Sequence, residues 1–530
     1  MTMTSTTGVP AYEAPTAGKA YQPGSPDGEA LVEAVREART GVYELPCLIG
    51  GHEVRTGRTY RLSVPHHHPT SLGVVHHGSA EQITAAIDAA DQASRGWANT
   101  PWQERASIFL RAADLLEHTG WRERLVAATQ LELSKTLPEA DGDAGCETVD
   151  FIRANVANLA RMVAEQPSSV HGVTNEVEYR PLEGFVFAVS PFNFTSMNNL
   201  AFGPALLGNT VVWKPAEAAA LVAHLSLELL IEAGLPDGVI NLVHGSGAEL
   251  GPTALAHPDL AAVAFTGSTA TFQGIWSAVG SNIRGYRSYP RLVGETGGKG
   301  FVAVHPSADA EAVADACIRA AYGYQGQKCS AASRLYVPRE MWPTLRDLLI
   351  DRTRALRMGD PTELGVDLGA VISERQFRKQ AVTLAKAQAA TKVLAGGRVD
   401  DRQGWFVDPT LLETDDARSE FMTEEFFAPI LTCYAYDSSW GELLDLVDRS
   451  SIYGLTGAVF ASDDRALAEA DDRLRFAAGN YYVNDKPSGA IVGQQPFGGA
   501  RASGTDDKVG TVWNLIRYTA PRTIKTKHLG

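Results

Sequence analysis

The chain is poor in features that define several large protein classes. Five cysteines are spread over 530 residues (Cys47, Cys146, Cys317, Cys329 and Cys433), and none has CxxC spacing. An odd, scattered set argues against a disulfide framework or a thiolate zinc site and points to a reducing compartment, here the cytoplasm. No basic stripe is present, and a net charge of -15 with a pI near 5.4 argues against nucleic acid as a partner. Every long apolar run is broken by Gly, Asn or charge short of membrane-spanning length, so no membrane is expected. The Thr-rich start, Met1 to Gly8, has neither an apolar core nor an Arg-rich amphipathic pattern, so no signal or transit peptide is expected. A strict GxGxxG phosphate fingerprint is also missing. The nearest string, Gly245 to Gly251, has the wrong spacing and carries little weight.

The length allows two or three domains around a large core. Apolar residues recur at helical spacing at Ile83, Ala86, Ile87 and Ala90, and again at Ile108, Ala112, Leu115 and Leu116. They predict helices over 81–95 and 104–118, and another is expected across 144–164. From 185 the texture changes. Apolar β-prone runs at 185–190, 210–214, 239–243 and 261–265 alternate with helical stretches at 196–207, 218–233, 247–256 and 270–280. Strands this uniformly apolar are buried on both faces, in a parallel sheet between helices. A second series (300–304, 309–323, 333–337, 340–356) predicts a second α/β domain carrying Cys329. Residues 1–30 are expected to wrap a surface or stay loose. The tail is Gly-rich from about 485 and extended over 515–527.

Three polar groups stand out. Cys329 sits among small polar neighbours with Lys328 adjacent, a setting that favours a thiolate. A buried structural role is the ordinary alternative for a cysteine and suits Cys47, Cys317 and Cys433. Thiolate attack on an aldehyde gives a hemithioacetal from which hydride can leave. Glu295, in a turn followed by Gly297 and Gly298, suits a general base against the resulting thioester, with the glycines letting it swing. A plain ion pair with Lys299 is the alternative. Asn193, at the end of the run Ser190 to Phe194, suits an oxyanion donor together with the Cys329 N–H, or a simple turn residue after Pro191. Lys214 and Glu217 end a strand and open a helix, where nucleotides bind in doubly wound sheets. They suit ribose hydroxyls, and the carboxylate favours NAD over NADP. Gly267 and Ser268 end the next such strand and suit a pyrophosphate at a helix N-terminus. His66, His67 and His68, with His76 and His77 beyond, lack a carboxylate or thiol companion. With Pro65 and Pro69 beside them they read as an exposed loop, and no metal site is expected.

Phe265–Thr269 (FTGST), Glu295–Lys299 (ETGGK), Gly326–Cys329 (GQKC) and Glu424–Pro429 (EEFFAP) resemble the signatures of the aldehyde dehydrogenase superfamily. Leu45–Gly51, Tyr179–Phe185, Tyr286–Pro290, Lys328–Pro338 and Gly493–Gly504 further resemble its L-glutamate γ-semialdehyde (1-pyrroline-5-carboxylate) dehydrogenase branch. The resemblance runs from about residue 20 to the end. It departs after Phe194, where the segment to Gly203 is less Gly-rich and one residue shorter than is usual, and at Gly300, Ala332 and Asp506.

The resemblance implies Cys329 as nucleophile, Glu295 as deacylation base and Asn193 as oxyanion donor. It implies NAD held by Ser190, Lys214, Glu217, Gly267, Ser268, Glu425 and Phe427. It places the substrate carboxylate on Ser330 and the N–H groups of Gly489 and Ala490, its aliphatic chain between Phe192 and Phe497, and Glu147 paired with Lys328. The expected fold is α/β in three parts. These are a Rossmann-like NAD domain (20–168 and 185–294), an α/β catalytic domain (295–484), and a small β oligomerisation flap with the tail (169–184 and 485–530). The expected activity is oxidation of glutamate γ-semialdehyde to glutamate in proline breakdown, by a homodimer or higher homo-oligomer, with contact to a proline dehydrogenase left open. Alternatives are another ω-semialdehyde acid as substrate, a thioester hydrolase without NAD, and a non-catalytic binding protein on the same scaffold.

Overall fold

The computed structural model describes residue 12 and residues 14–528. The expectations for Met1 to Gly8, and for much of 1–30, therefore lie outside the described residues. The described part of 1–30 is tied down. The Thr16 N–H and hydroxyl both donate to Asp150 Oδ1 (2.8 and 2.7 Å). Tyr21 is buried, and Ser25 caps a helix, Pro26–Thr40, that the composition of this stretch concealed.

Two seven-stranded sheets position the site. The first has the order Arg291–Glu295, Leu260–Thr266, Phe185–Ser190, Thr210–Pro215, Ile240–Leu242, Cys47–Ile49, His52–Val54. Its first five strands are parallel and the last two join antiparallel. On one face, Ile83, Ala86 and Ile87 of the helix Ala80–Asn99 pack with Phe187, Val212 and Val263. That helix starts on a capping box made by Ser79 and Gln82. On the other face, the helices Trp102–His118, Trp121–Leu133, Thr148–Ala164 and Ala220–Glu232 pack on Val186, Val211 and Ala262. Helix Trp121–Leu133 buries residues all round, so it carries no amphipathic period by which spacing could reveal it. The helix expected over 144–164 begins at Thr148, behind a π-helical turn, Asp141–Glu147.

The second sheet has the order Lys392–Ala395, Thr410–Glu413, Ile430–Tyr436, Ala332–Pro338, Gly300–Val304, Thr456–Phe460, Asn480–Val483. Glu295 ends the edge strand of the first sheet, and five residues later the chain enters the second sheet at Gly300. Cys329 lies just before the neighbouring strand Ala332–Pro338. The site therefore forms where the two sheets meet. Val173–Pro181 pairs antiparallel with Thr519–Lys527 as a separate two-stranded ribbon. The rest of the tail behaves differently: the Thr296 N–H donates to the Ser503 carbonyl (2.8 Å), and the Gly294 N–H to Thr505 Oγ1 (2.9 Å).

The histidine run is not an exposed loop. His67–His76 is a strand, and His66 is buried, with Nδ1 3.1 Å from Ser134 Oγ. Among the described residues no helix is long and apolar enough to cross a membrane.

Candidate active site

Three segments converge on Cys329. Immediately before it, Tyr324, Gln325 and Gly326 have φ values of 51°, 55° and 66°. This left-handed run is costly for the two non-glycine residues and is held from outside. The Tyr324 hydroxyl donates to the Leu133 carbonyl (2.9 Å), and Gln325 Nε2 to the Ala370 carbonyl (2.7 Å). At Gly326 a Cβ would sit 2.2 Å from the Ala428 carbonyl oxygen, so only glycine fits. Asn193, beyond the strand Phe185–Ser190, is buried, and its Nδ2 donates to the Gln327 carbonyl (3.0 Å). One amide hydrogen is used there and the second is left for another acceptor. Glu295 Oε1 lies 3.9 Å from Cys329 Sγ.

Cys329 is the one cysteine of the five that is not buried. Desolvation nonetheless pushes its thiol well above the usual range, with the Glu295 and Glu425 charges adding, while its own N–H and that of Ser330 oppose. Burial pushes Glu295 up to about 8, against its hydrogen bond with Cys329. Lys328 does not supply the positive charge expected beside the thiol. Its Nζ pairs with Glu139 at 3.2 Å, which also displaces the expected pairing with Glu147. Glu147 instead accepts from Ser196 Oγ (3.0 Å) and is pushed up to about 7 by burial and the Asp143 charge. Lys299 makes no ion pair with Glu295. It lies 4.9 Å from the centre of the Phe426 ring, lowered to about 7 by burial and then by Arg334. Gly297 and Gly298 have a spatial reason as well as a conformational one. A Cβ at Gly297 would meet Glu425 Oε2 at 2.4 Å, and one at Gly298 would meet the Cys329 carbonyl oxygen at 2.1 Å.

A pocket opens over the thiol. Asn193, Glu295, Ser330 and Glu147 provide its polar groups, Gly489 and Ala490 its backbone rim, and Phe497 part of its apolar wall. Phe192 is not in that wall. It packs edge-on against Phe427, centroids 5.9 Å apart, and Phe194 lines the pocket instead, with Phe151 and Met197. Met197 lies in the altered segment after Phe194. Val509 and Gln495 also reach the pocket, so the tail between 489 and 509 builds the site.

A second cavity, about 430 Å³, lies at the C-terminal ends of the parallel strands of the first sheet. Its walls are mostly apolar, with Phe265, Leu255 and Ile275, and Lys214 faces into it. Burial lowers Lys214 to about 8, with the Glu217 charge opposing. Glu217 lies 3.6 Å from His77 Nε2. Gly247 and Gly251 form part of the wall, so the string Gly245 to Gly251, discounted for its spacing, borders this cavity. Gly267 precedes Ser268, which caps the helix Thr269–Ser281 and leaves its N-terminus at the strand ends. Glu425 accepts the Gly298 N–H at 2.8 Å. Ser190 is buried, and its Oγ accepts from Trp213 Nε1 (2.9 Å), which leaves its hydroxyl hydrogen for another acceptor. An apolar slot for a base, a lysine and a carboxylate for a ribose, and a capped helix N-terminus fit a dinucleotide.

The sequence profile of the Aldehyde dehydrogenase family matches residues 54–524. A delta-1-pyrroline-5-carboxylate dehydrogenase from Agaricus bisporus is 44% identical over 516 residues, covering 96% of this chain and 94% of the relative. The human mitochondrial protein of the same name is 42% identical over 514 residues, covering 96% and 91%. The crystal structure of the delta-pyrroline-5-carboxylate dehydrogenase from Mycobacterium tuberculosis bound with NAD superposes with a TM-score of 0.93 at 47% identity, covering 98% of this chain and 96% of that one. With its two sheets meeting at a thiol, a carboxylate and an amide, the chain belongs to the aldehyde dehydrogenase family.

Proposed function

We propose that the protein oxidises L-glutamate γ-semialdehyde, formed from 1-pyrroline-5-carboxylate by ring opening in water, to L-glutamate with NAD, as a step of proline breakdown. The observation that carries this reading is the joint placement of Cys329, Glu295 and Asn193 in one pocket with Ser330 and the backbone of Gly489 and Ala490. The Cys329 thiol, 3.9 Å from Glu295, gives up its proton to solvent. The Cys329 sulfur then adds to the aldehyde carbon, while the free Asn193 amide hydrogen and the Cys329 N–H hold the developing oxyanion. NAD, when bound, supplies the two-electron oxidant that turns this adduct into a thioester. Lys214, Glu217, Ser268 and Glu425 would hold it, with the base in the 430 Å³ cavity. Glu295 next deprotonates the water that cleaves the thioester, releasing glutamate and the thiol. Ser330 and the two backbone N–H groups fix the α-carboxylate, with Phe194 and Phe497 against the methylene chain.

All five cysteines are unpaired, which supports a reducing compartment such as the cytoplasm. Among the described residues the ribbon Val173–Pro181/Thr519–Lys527 pairs with no further strand, which supports pairing with a second copy in a dimer or larger oligomer. A second substrate reading, another ω-semialdehyde acid, is favoured by one observation: Met197 of the altered segment forms part of the wall. Comparing kcat/KM for glutamate, aminoadipate and succinate semialdehydes decides between them. The proposal expects glutamate semialdehyde to lead, and a tenfold advantage for either competitor overturns it.

A further inference from the structure

Two buried charges with no part in the chemistry sit where three loops of the site meet. Lys135 Nζ lies 2.7 Å from Asp143 Oδ2, and the side chains are 1% and 3% exposed. The same ammonium lies 4.4 Å from the centre of the Phe194 ring and 4.8 Å from that of Tyr324. Phe194 directly follows Asn193, and Tyr324 opens the left-handed run that leads to Cys329. Asp143 completes the arrangement from the other side. Its Oδ2 accepts the Thr195 N–H (2.8 Å) and its Oδ1 the Ser196 N–H (2.9 Å), so one carboxylate fixes the chain just beyond Phe194. The backbone before Lys135 holds the nucleophile segment: the Leu133 carbonyl accepts from the Tyr324 hydroxyl, and the Ser134 carbonyl from Gln325 Nε2. Desolvating two charges is costly, and an apolar pair of similar shape commonly serves stability as well. Stability therefore does not by itself account for an ion pair here. A charge that seats one ring from each of two loops, with a carboxylate that binds two consecutive N–H groups of one of them, has a directional role.

We propose that Lys135 and Asp143 are positioning residues for acyl transfer at Cys329. They set the Asn193 loop against the Cys329 segment, so that the amide and the Cys329 N–H address one oxygen. The inference rests on the reading of Asn193 as the oxyanion donor.

Hydrolysis of p-nitrophenyl acetate tests this without NAD or any semialdehyde. The Cys329 sulfur bonds to the acetyl carbon, p-nitrophenolate leaves with the electron pair of the broken C–O bond, and water then cleaves the acetyl thioester. The proteins compared are wild type, Asn193→Ala, the double variant Lys135→Met/Asp143→Asn, and the triple combination. The double variant removes both charges together, so neither is left buried alone. Asn193→Ala and the double variant should each slow p-nitrophenolate release on the order of 100-fold. The triple should fall no further than Asn193→Ala, within about twofold, because groups acting through one another are not additive. NAD affinity of the double variant should stay at the wild-type value. A double variant with the wild-type rate overturns the proposal, as does a triple that loses the product of the two factors, or a double whose NAD affinity falls in step with its rate. An unchanged rate in Asn193→Ala removes the reading of the amide and with it the route proposed for the pair. If the double variant does not fold, Thr195→Pro enters the same cycle. It deletes one Asp143 hydrogen bond, together with the Thr195–Thr129 hydroxyl contact (3.1 Å), at the first residue of a 3-10 turn, behind an extended Phe194 that tolerates a following proline.

Discussion

Replacing Gly298 with alanine puts a methyl carbon 2.1 Å from the Cys329 carbonyl oxygen and 3.3 Å from Leu455 Cδ2. The leucine can turn, but the carbonyl is backbone and cannot. Comfortable non-bonded contacts lie near 3.5 Å, so the two segments must part by about 1 Å or more. The moving peptide carries the Cys329 sulfur and N–H away from Glu295, now 3.9 Å from the thiol, and from the Asn193 amide. A misplacement of about 1 Å at reacting atoms costs on the order of 100-fold in rate, and overpacking of this kind costs about 1–3 kcal/mol of stability. Steady-state NADH formation should show kcat/KM lowered about 100-fold in Gly298→Ala, and denaturant unfolding should show the variant folded but less stable. NAD affinity is measured on the same variant, because the Gly298 N–H also serves Glu425. A Gly298→Ala protein with wild-type kcat/KM would refute the claim that this close approach sets the nucleophile.

Glu295, raised to about 8, acts as a base only when ionised. Turnover should therefore rise with pH up to about 8 and level above it, and Glu295→Gln should flatten that limb and lower steady-state turnover about 10²- to 10⁴-fold. Phe194→Ala should raise KM for the semialdehyde about tenfold, the worth of a partly buried apolar contact, whereas Phe192→Ala, packed on Phe427, should leave it unchanged. Asp141→Ala leaves the Arg122 guanidinium, bound to both oxygens at 2.7 and 2.9 Å, buried without its partner. Denaturant unfolding should show a loss of about 3–5 kcal/mol.

The alternation of apolar strands and helices from 185 to 280 was readable because each strand is buried on both faces. The residues at their ends could then be placed at the C-terminal edge of a sheet, which put Lys214 and Glu217, and after them Gly267 and Ser268, where a nucleotide binds. What escaped follows from loops, where periodicity says nothing of side-chain direction. Phe192 and Phe194 are equivalent by composition, and only the turn at Thr195 and the Lys135 ammonium decide which ring enters the pocket. Lys328 is adjacent to the nucleophile in sequence, yet its partner Glu139 is nearly two hundred residues away and carried no motif. Ser190 was assigned to the cofactor through the resemblance alone, and nothing in its local sequence announces that its oxygen accepts from Trp213 Nε1. The histidine run looked exposed because prolines flank it, whereas His66 packs against Ser134 inside the protein.

The central claim is that a thioester forms on Cys329 and waits for Glu295. The most direct measurement mixes the Glu295→Gln protein with NAD and racemic pyrroline-5-carboxylate, quenches within the first turnover, and maps the modified peptide by mass spectrometry. The account predicts one NADH per site and a glutamyl adduct on Cys329. NADH formation with no adduct, or an adduct on any other residue, would contradict it.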